Sequence, residues 1–333
     1  MPVVKWSRRV ALRASVATAM AVLAAGALPA PAGAQGFPSR PITIVVPFGP
    51  GTANDIIARQ LAQDMTGTLG QSVIVDNRAG ATGNLAADFV AKSAPDGHTL
   101  LIASMSNILN QVTGNANVDL TKDFTPVGFA GSTLYSMFVP NELAAKNVAE
   151  LVELARQQPG KLNYAGYVGG VPQFLGEMLN RAAKISLVMV PYKSTTDALV
   201  DLLANRIQVW FTPVASGIPV QSARQARMIA VTGETRARIL PDIPTFKEAG
   251  YPDLTVDVAY FLVAAKGTPQ PVVDKLHGAI DKALQNPKVR ETLLAQGIEE
   301  KRGSPAAVGA YLAGEVRRWS EIVKLSAPGA AGK

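Results

Sequence analysis

The sequence predicts an α/β protein of two lobes, each a mostly parallel sheet flanked by helices. Short apolar runs alternate with segments whose apolar residues recur every three or four positions, as in parallel sheets covered by helices. The runs are continuously apolar, which is typical of strands buried on both faces. Two longer extended stretches, residues 127–139 and 256–264, fit crossover strands that carry the chain to a second lobe and back. This layout places a cleft between the lobes, outside the carboxyl ends of the strands.

Length and composition exclude several classes of protein. The 333 residues suggest about two domains, and a hydrophobic fraction of 48% is too high for a disordered chain. The absence of cysteine excludes disulfides, thiolate nucleophiles, iron–sulfur clusters and cysteine zinc sites. The two histidines, His98 and His277, are far apart in sequence. We therefore expect neither a metal nor a cofactor.

Residues 1–34 are predicted to be a signal peptide. Its basic residues are Lys5, Arg8, Arg9 and Arg13. An uncharged run over residues 14–28 follows, and an A-x-A site predicts cleavage after Ala34 and export to the periplasm. The run is shorter than the roughly 20 residues of a membrane span, although an uncleaved anchor is the alternative. Residues 7–12 resemble a twin-arginine signal, and the general secretion pathway remains equally open.

The leader also explains most of the positive charge. It holds four of the 32 Lys and Arg residues and none of the 25 Asp and Glu residues, so the rest of the chain has a net charge of +3 instead of +7. The basic residues of this remainder are scattered, with no run of five or more. Binding to nucleic acid is therefore not expected.

The elements of the first part of the mature chain follow the α/β alternation. Strands are predicted over residues 42–46, 72–75 and 99–103, and helices over 55–65 and 84–92. The first strand reads ITIVV, a continuous apolar run. In the first helix Ile57, Leu61 and Met65 are four residues apart and form one apolar stripe.

The same rhythm continues to the end of the chain. Helices are predicted over residues 148–157, 173–183, 195–205, 271–285, 287–296 and 305–325, and strands over 162–165, 187–190, 207–211 and 228–231. The tail from Ala327 is predicted to fray. Residues 35–134 and 259–333 are assigned to the first lobe, and residues 135–258 to the second.

Four strand-to-helix turns are candidate ligand loops. The most informative is residues 47–55, whose glycines allow close backbone approach and whose Asn54 or Asp55 is a candidate helix cap. Backbone N–H groups at a helix start attract anions. The other turns are residues 80–84, 165–172 and 191–197. An ordinary turn is the alternative for each, but together they fit a ligand cleft lined from both lobes.

Catalytic and nucleotide-binding motifs are absent from the sequence. Asn54 stands where G-x-G-x-x-G requires its third glycine, and neither a G-x-x-x-x-G-K-[ST] loop nor a G-x-S-x-G elbow occurs. His98 follows a Pro-Asp-Gly turn and is expected to be solvated, while His277 is expected on a surface face of a helix. Enzymatic activity is therefore not expected.

Short markers occur in order from Phe37 to about Val323. They are PSRPI (38–42), VPF (46–48) followed by Pro50-Gly51 and Asp55, VDNR (75–78) with GATGN (80–84), PDGHTL (95–100), DFTP (123–126), VPYK (190–193), PDIPT (241–245) with EAG (248–250), and AKGTP (265–269). With these markers behind an export signal, the chain resembles the extracytoplasmic substrate-binding proteins of tripartite tricarboxylate transporters, the Bug family.

The resemblance implies a monomeric Venus-flytrap periplasmic binding protein, type II-like, that captures a small organic acid, usually a carboxylate. The partners it implies are the membrane permease subunits of a tripartite transporter. Two alternatives remain: a sensor component that presents its ligand to a membrane receptor, and an exported enzyme on the same scaffold.

The resemblance also implies the ligand-binding residues. In the first lobe they are Phe48, Gly49, Pro50, Gly51, Thr52, Ala53, Asn54, Asp55, Thr82, Gly83, Asn84 and the Ser104-Met105-Ser106 turn. In the second lobe they are Gly166, Tyr167, Val168, Gly169, Gly170, Lys193, Ser194, Thr195, Phe211 and Thr212. The family holds its ligand largely by backbone groups, hydroxyls and water, with little use of arginine.

The sequence departs from the family pattern at this site. Thr52 replaces a second glycine after Pro50-Gly51, and Ser194 replaces a glycine after Lys193. The second-lobe loop lacks the usual Ser-x-Gly-x-Gly and carries Gln173 or Phe174 near the family's histidine position. Because Tyr167 and Phe174 add bulk, we hypothesise a ligand that is more apolar or aromatic than the common dicarboxylates.

Overall fold

A computed structural model describes residues 36–192 and 194–326 of the chain. The chain divides into two units after Ser39, and the unit that begins at Arg40 contains all the elements below. The predicted signal peptide over residues 1–34, Lys193 and the tail from Ala327 lie outside the described residues.

The first half of the fold is built around three parallel strands. Its elements are β1 (Ile42–Val46), α1 (Ala53–Leu69), β2 (Val73–Asn77), α2 (Asn84–Ala91, after a short 3₁₀ turn Ala81–Gly83), β3 (Thr99–Ala103) and α3 (Met105–Val112). Strand β1 pairs in parallel with β2 and β3. The burial of β1 on both faces follows from its continuous apolar sequence, and Leu61 of α1 is fully buried.

The second half repeats the same kind of unit. Its strands are the far end of β4 (Phe124–Pro140), β5 (Asn163–Gly166), β6 (Val188–Pro191), β7 (Val209–Pro213) and β8 (Ala226–Val231). Its helices are α4 (Val148–Gln157), α5 (Val171–Ala183), α6 (Thr195–Leu203) and α7 (Val214–Ser222). Strand β5 pairs in parallel with β6 and β7.

Two long strands join the halves. Strand β4 pairs antiparallel with β9 (Asp257–Ala265) up to Leu134, and from Tyr135 onward it pairs with β7, while its end also pairs with β8. The sheet in the described chain therefore runs β2-β1-β3-β9-β4-β7-β5-β6, with β8 beside β4. Every antiparallel pair involves β4 or β9, and the outer strands of each half are parallel.

The C-terminal helices return to the first half and then reach the second. They are α8 (Gln270–Gln285), α9 (Pro287–Ala295) and α10 (Pro305–Ser326). Trp319 of α10 is fully buried, and its ring meets that of Phe174 on α5 with centroids 5.7 Å apart. Helix α10 therefore contacts both halves of the molecule.

The predicted fold class is confirmed, and the two extended stretches are the joining strands β4 and β9. The lobe boundaries remain a prediction. Two helices were missed: α3, where a turn is expected from the sequence, and α7, whose Gly217 and Pro219 are both unfavourable inside a helix.

Candidate functional site

A cavity of about 940 Å³ lies between the two halves of the sheet. From the first half it is lined by Phe48, Thr52, Ala81, Thr82, Asn84, Ser106, Leu109, Asn110 and Asn115. From the second half it is lined by Tyr135, Tyr167, Val168, Gly169, Gly170, Val171, Pro172, Ser194, Thr195, Thr212 and Pro213. The described lining residues are all uncharged.

Six described helices begin at this cavity. The lining includes the N-cap residues of α1, α5, α6 and α7, the first residue of α2 and the second residue of α3, which are Thr52, Gly170, Ser194, Pro213, Asn84 and Ser106. The first N–H groups of a helix have no partner within the helix, and the helix dipole places positive potential at that end. The cavity is therefore favourable for an anion although its described side chains carry no charge.

Asparagine side chains fix the first-half wall. The Nδ2 of Asn110 donates to the carbonyl of Thr82 at 2.8 Å and to Oδ1 of Asn84 at 3.1 Å. The Nδ2 of Asn84 donates to the carbonyl of Asn115 at 2.6 Å. These bonds hold the turn in which Thr82 and Gly83 adopt left-handed conformations, with φ of 56° and 95°.

Helix α5 holds the second-half loop. Oε1 of Gln173 accepts from the backbone N–H of Gly169 at 2.9 Å, and Nε2 of Gln173 donates to Glu177 at 2.8 Å. The hydroxyl of Tyr167 is buried beside Thr195 and Trp210. Burial raises the pKa of Tyr167, and hydrogen bonds with the Thr195 and Trp210 side chains only partly offset this effect.

Asp55 lies outside the cavity lining and stabilises the loop between β1 and α1. Its carboxylate accepts from the Gly51 N–H at 3.0 Å, from Asn77 at 2.9 Å and from Arg59 at 3.0 Å. Burial acts to raise the pKa of Asp55, but the hydrogen bonds from Arg59, Gly51 and Asn77 outweigh it and hold this pKa below its usual value.

The predicted helix caps are wrong. The N-cap of α1 is Thr52, which makes no side-chain capping bond, and the side chain of Asn54 donates to the carbonyl of Ile102 at 3.2 Å. Asn54 thus ties the first turn of α1 to β3, and Asp55 accepts from the Gly51 N–H in the loop before the helix.

The structure brings about half of the predicted site residues to the cavity. Those in the lining are Phe48, Thr52, Thr82, Asn84, Ser106, Tyr167, Val168, Gly169, Gly170, Ser194, Thr195 and Thr212. Those outside it are Gly49, Pro50, Gly51, Ala53, Asn54, Asp55, Gly83, Ser104, Met105, Gly166 and Phe211. Lys193 lies outside the described residues.

Sequence reasoning missed Leu109, Asn110, Asn115, Tyr135 and Pro213 in the lining, and it placed Ala81, Val171 and Pro172 in candidate turns without predicting them as site residues. The signal for Tyr135 was present, because it lies in an extended stretch predicted to cross between lobes. Asn110 had no such signal, since α3 was not predicted as a helix.

Three other side-chain expectations are corrected. Phe174 is buried against Trp319 and adds no bulk to the cavity. His98 is only 5% exposed, with Nδ1 3.3 Å from Asp96, because its turn folds back onto the sheet. His277 is half-buried and lies against Gly128 of β4.

Metal sites and membrane spans are not found in the part of the chain that the structure describes. No group of three or more His, Asp or Glu side chains within residues 36–192 and 194–326 is arranged to hold a metal ion. No helix in these two ranges has the length and apolar character needed to cross a bilayer.

Comparison with known proteins gives a consistent result. The profile of the tripartite tricarboxylate transporter family receptor (TctC) matches residues 57–327. A UPF0065 protein in the tcbD-tcbE intergenic region of Pseudomonas sp. (strain P51) is 37% identical over 290 residues, covering 86% of each chain. Protein BugT of Bordetella pertussis is 30% identical over 306 residues, covering 91% of this chain and 94% of BugT.

Solved structures show the same architecture. A protein of R. palustris with adipate has a TM-score of 0.76 and 30% identity, covering 87% of this chain and 98% of that one. MatC from Rhodopseudomonas palustris with bound malate has a TM-score of 0.74 and 30% identity, covering 86% of this chain and 100% of that one.

The fold, with its cavity between two halves joined by β4 and β9, is that of a two-lobed periplasmic binding protein. Within that class the chain belongs to the tripartite tricarboxylate transporter receptor family, also known as the Bug family. This family consists of solute-binding receptors.

Proposed function

We propose that this chain is a periplasmic solute-binding protein that captures a small organic acid in the cavity between its halves. It delivers the acid to the membrane permease subunits of a tripartite transporter. The chain is exported, with cleavage after Ala34, and it catalyses no reaction on the acid.

The convergence of six helix N-termini on one uncharged cavity carries this proposal. A carboxylate placed there accepts hydrogen bonds from backbone N–H groups and from hydroxyls such as that of Ser194, whose oxygen accepts from the Asp197 N–H and keeps its own proton to donate. The helix dipoles supply the compensating positive potential. An arginine is therefore not needed to hold the acid.

Apolar side chains in the lining indicate the chemical character of the part of the ligand beyond its carboxylate. Phe48, Leu109, Val171 and Pro172 offer a hydrocarbon surface beside the polar groups. Such a wall fits an acid with an apolar middle, and the two R. palustris relatives hold adipate and malate. Our hypothesis of a more apolar or aromatic ligand now depends on Tyr167, which lines the cavity, and no longer on Phe174, which does not.

Capture of the ligand is coupled to closure of the two lobes. The first lobe consists of residues 35–134 and 259–333, and the second of residues 135–258. A ligand that contacts both walls only in the closed form shifts the population toward that form. The permease then distinguishes the loaded from the empty protein by its shape.

A thermal-shift screen against organic acids, amino acids and neutral analogues of the acids tests the proposal. An acid at a hundredfold excess over its Kd raises the free energy of unfolding by about 2.7 kcal/mol, a clear shift in melting temperature. The matching neutral amides and esters are expected to give little or no shift. A protein stabilised only by uncharged or cationic compounds would contradict the proposal.

A further inference from the structure

Thr232 lies where the two joining strands pass from one half of the sheet to the other. Strand β4 pairs with β9 up to Leu134, and from Tyr135 onward it pairs with β7 and β8. Strand β9 begins at Asp257, directly after Val256. The segments at Tyr135 and Val256 are therefore the crossing points of the joining strands. Thr232 follows directly after β8 and is fully buried.

The hydroxyl of Thr232 connects both crossing segments. It accepts from the backbone N–H of Tyr135 at 3.0 Å and donates to the carbonyl of Val256 at 2.6 Å. The backbone of Thr232 binds the same two residues, because its N–H donates to the Tyr135 carbonyl at 2.9 Å and its carbonyl accepts from the Val256 N–H at 2.8 Å. One residue thus ties together two segments that belong to different strands.

This double link requires a hydroxyl. The threonine hydroxyl has one proton to donate and lone pairs with which to accept, so it serves both segments at once. Valine has nearly the same shape but removes both bonds, and buried backbone groups that lose a partner are costly. Tyr135 also lines the cavity, so the position of its segment determines part of the cavity wall.

We propose that Thr232 is a positioning residue that makes the two crossing segments bend together when the halves move, and that it holds Tyr135 in the cavity wall. Without the hydroxyl the segments bend independently, and the empty protein samples more orientations of its halves. A smaller fraction of the molecules then has the binding-competent orientation, which raises the apparent Kd by the same factor. The effect on affinity rests on the proposed function, whereas the effect on the halves does not.

The first test needs no ligand and measures distances between the halves in purified protein expressed from the full sequence. Because the chain contains no cysteine, Gln63→Cys on α1 and Lys161→Cys before β5 provide two unique sites for nitroxide labels. Both positions are exposed. Double electron–electron resonance reports the distribution of distances between the labels. This distribution should be broader in Thr232→Val than without that change, and Thr232→Ser, which keeps the hydroxyl, should restore its width.

Thr66→Val is the matched control. The Thr66 hydroxyl donates to the carbonyl of Ala62 at 2.8 Å and accepts from the N–H of Val73 at 3.0 Å, so it makes the same pair of bonds within the first half. Both valine variants should lower the free energy of unfolding, measured by urea denaturation. The control should leave the distance distribution unchanged, because neither of its bonds lies at a crossing segment.

The second test measures affinity by titration calorimetry with malate, adipate and hexanoate. For each of these acids that binds, the Kd should rise about three- to tenfold in Thr232→Val, because the link to both segments is lost. Thr232→Ser and Thr66→Val should bind within about twofold of the wild type. A purely structural role of Thr232 would instead give the two valine variants the same affinity.

The outcomes separate this inference from the proposed function. An unchanged distance distribution in Thr232→Val overturns the inference, and so does equal broadening in Thr66→Val. If the distribution broadens but the Kd of a bound acid stays the same, the link between Thr232 and the cavity wall is wrong. If no acid binds to any form of the protein, the proposed function is contradicted, and the label distances still decide the role of Thr232.

Discussion

The side chain of Gln173 accepts a 2.9 Å hydrogen bond from the backbone N–H of Gly169, so the first turn of α5 holds the loop that forms one wall of the cavity. Gln173 is itself oriented by Glu177, to which its Nε2 donates at 2.8 Å. Gln173 does not line the cavity. It is a positioning residue, and its effect on a ligand passes through the loop.

Replacement of Gln173 by alanine should therefore weaken ligand binding without removing a ligand contact. The loss of one loop hydrogen bond predicts about a three- to tenfold higher Kd for the best acid of the thermal screen, measured by titration calorimetry. Gln157→Ala is the matched control, because Gln157 donates to Glu153 with the same four-residue spacing on α4. Equal affinity of the Gln173 variant and the control would show that the loop does not need this support.

Asp55 is predicted to stabilise the fold through the loop after β1. In Asp55→Asn the amide nitrogen meets a donor of Gly51, Arg59 or Asn77, so at least one part-buried hydrogen bond is lost. We expect a loss of about 1–3 kcal/mol in the free energy of unfolding at neutral pH, measured by urea denaturation. Asp76→Asn, which breaks an exposed pair with Arg78, should cost less than about 1 kcal/mol.

The pH dependence of the Asp55 contribution has a definite sign. The hydrogen bonds hold its pKa below the usual value in the folded protein, in spite of burial. The contribution is therefore present above the unfolded pKa and is lost as the pH falls through the folded pKa. The difference between the wild type and Asp55→Asn should shrink on acidification, and a difference that grows would contradict this assignment.

Asp119 should give a second and separate contribution to acid sensitivity. Burial acts to raise its pKa, but hydrogen bonds from Thr121 and Lys122 lower it to about 2. Stability from this carboxylate is present above the ordinary aspartate pKa of 3.8, which applies to the unfolded chain, and is lost as the pH falls toward 2. Because Lys122 is 79% exposed, solvent screens its ion pair with Asp119. We therefore expect Asp119 to contribute only about 1 kcal/mol to the free energy of unfolding.

The measurement is the free energy of unfolding of Asp119→Asn across this pH range. The variant should be less stable than the wild type near neutral pH, and the two should converge near the lower limit. Lys122→Met removes the cation and should reproduce part of the effect. Parallel stability curves for the wild type and Asp119→Asn would refute the role of this carboxylate.

The elements that the sequence predicted well are those with one strong local signal. The continuous apolar run of β1 favours burial on both faces, and Ile57, Leu61 and Met65 form an apolar stripe along one face of a helix. Helix α7 was missed because Pro219 and Gly217 oppose the helix locally. Packing of Val214 and Val220 in the second-half core overrides them.

The cavity was predicted less completely than the fold for a physical reason. Loops at the ends of parallel strands can be recognised from sequence, so Thr52 and Ser194 were found. Asn110 reaches the cavity from a helix, and Asp55 turns away from it to meet Arg59 and Asn77. These directions depend on contacts between residues far apart in sequence, such as Asn110 with Thr82, and no local pattern encodes them.

A carboxylate built into the cavity should compete with the ligand for the helix N-termini. Ser194 is the N-cap of α6 and accepts from the N–H of Asp197 at 3.1 Å. Because aspartate is also a good N-cap, Ser194→Asp should keep the helix and leave the melting temperature of the unliganded protein nearly unchanged. The added negative charge in the cavity should lower the affinity for acids about tenfold or more.

Asn147→Asp provides the matched control for this variant. Asn147 is the N-cap of α4, where its side chain accepts from the backbone N–H of Glu150 at 2.9 Å outside the cavity lining. The same charge at this helix start should not change acid binding. If Ser194→Asp binds acids as tightly as Asn147→Asp, the dipoles at the cavity do not hold the carboxylate. The proposal would then lose its electrostatic basis, even with the fold and the family unchanged.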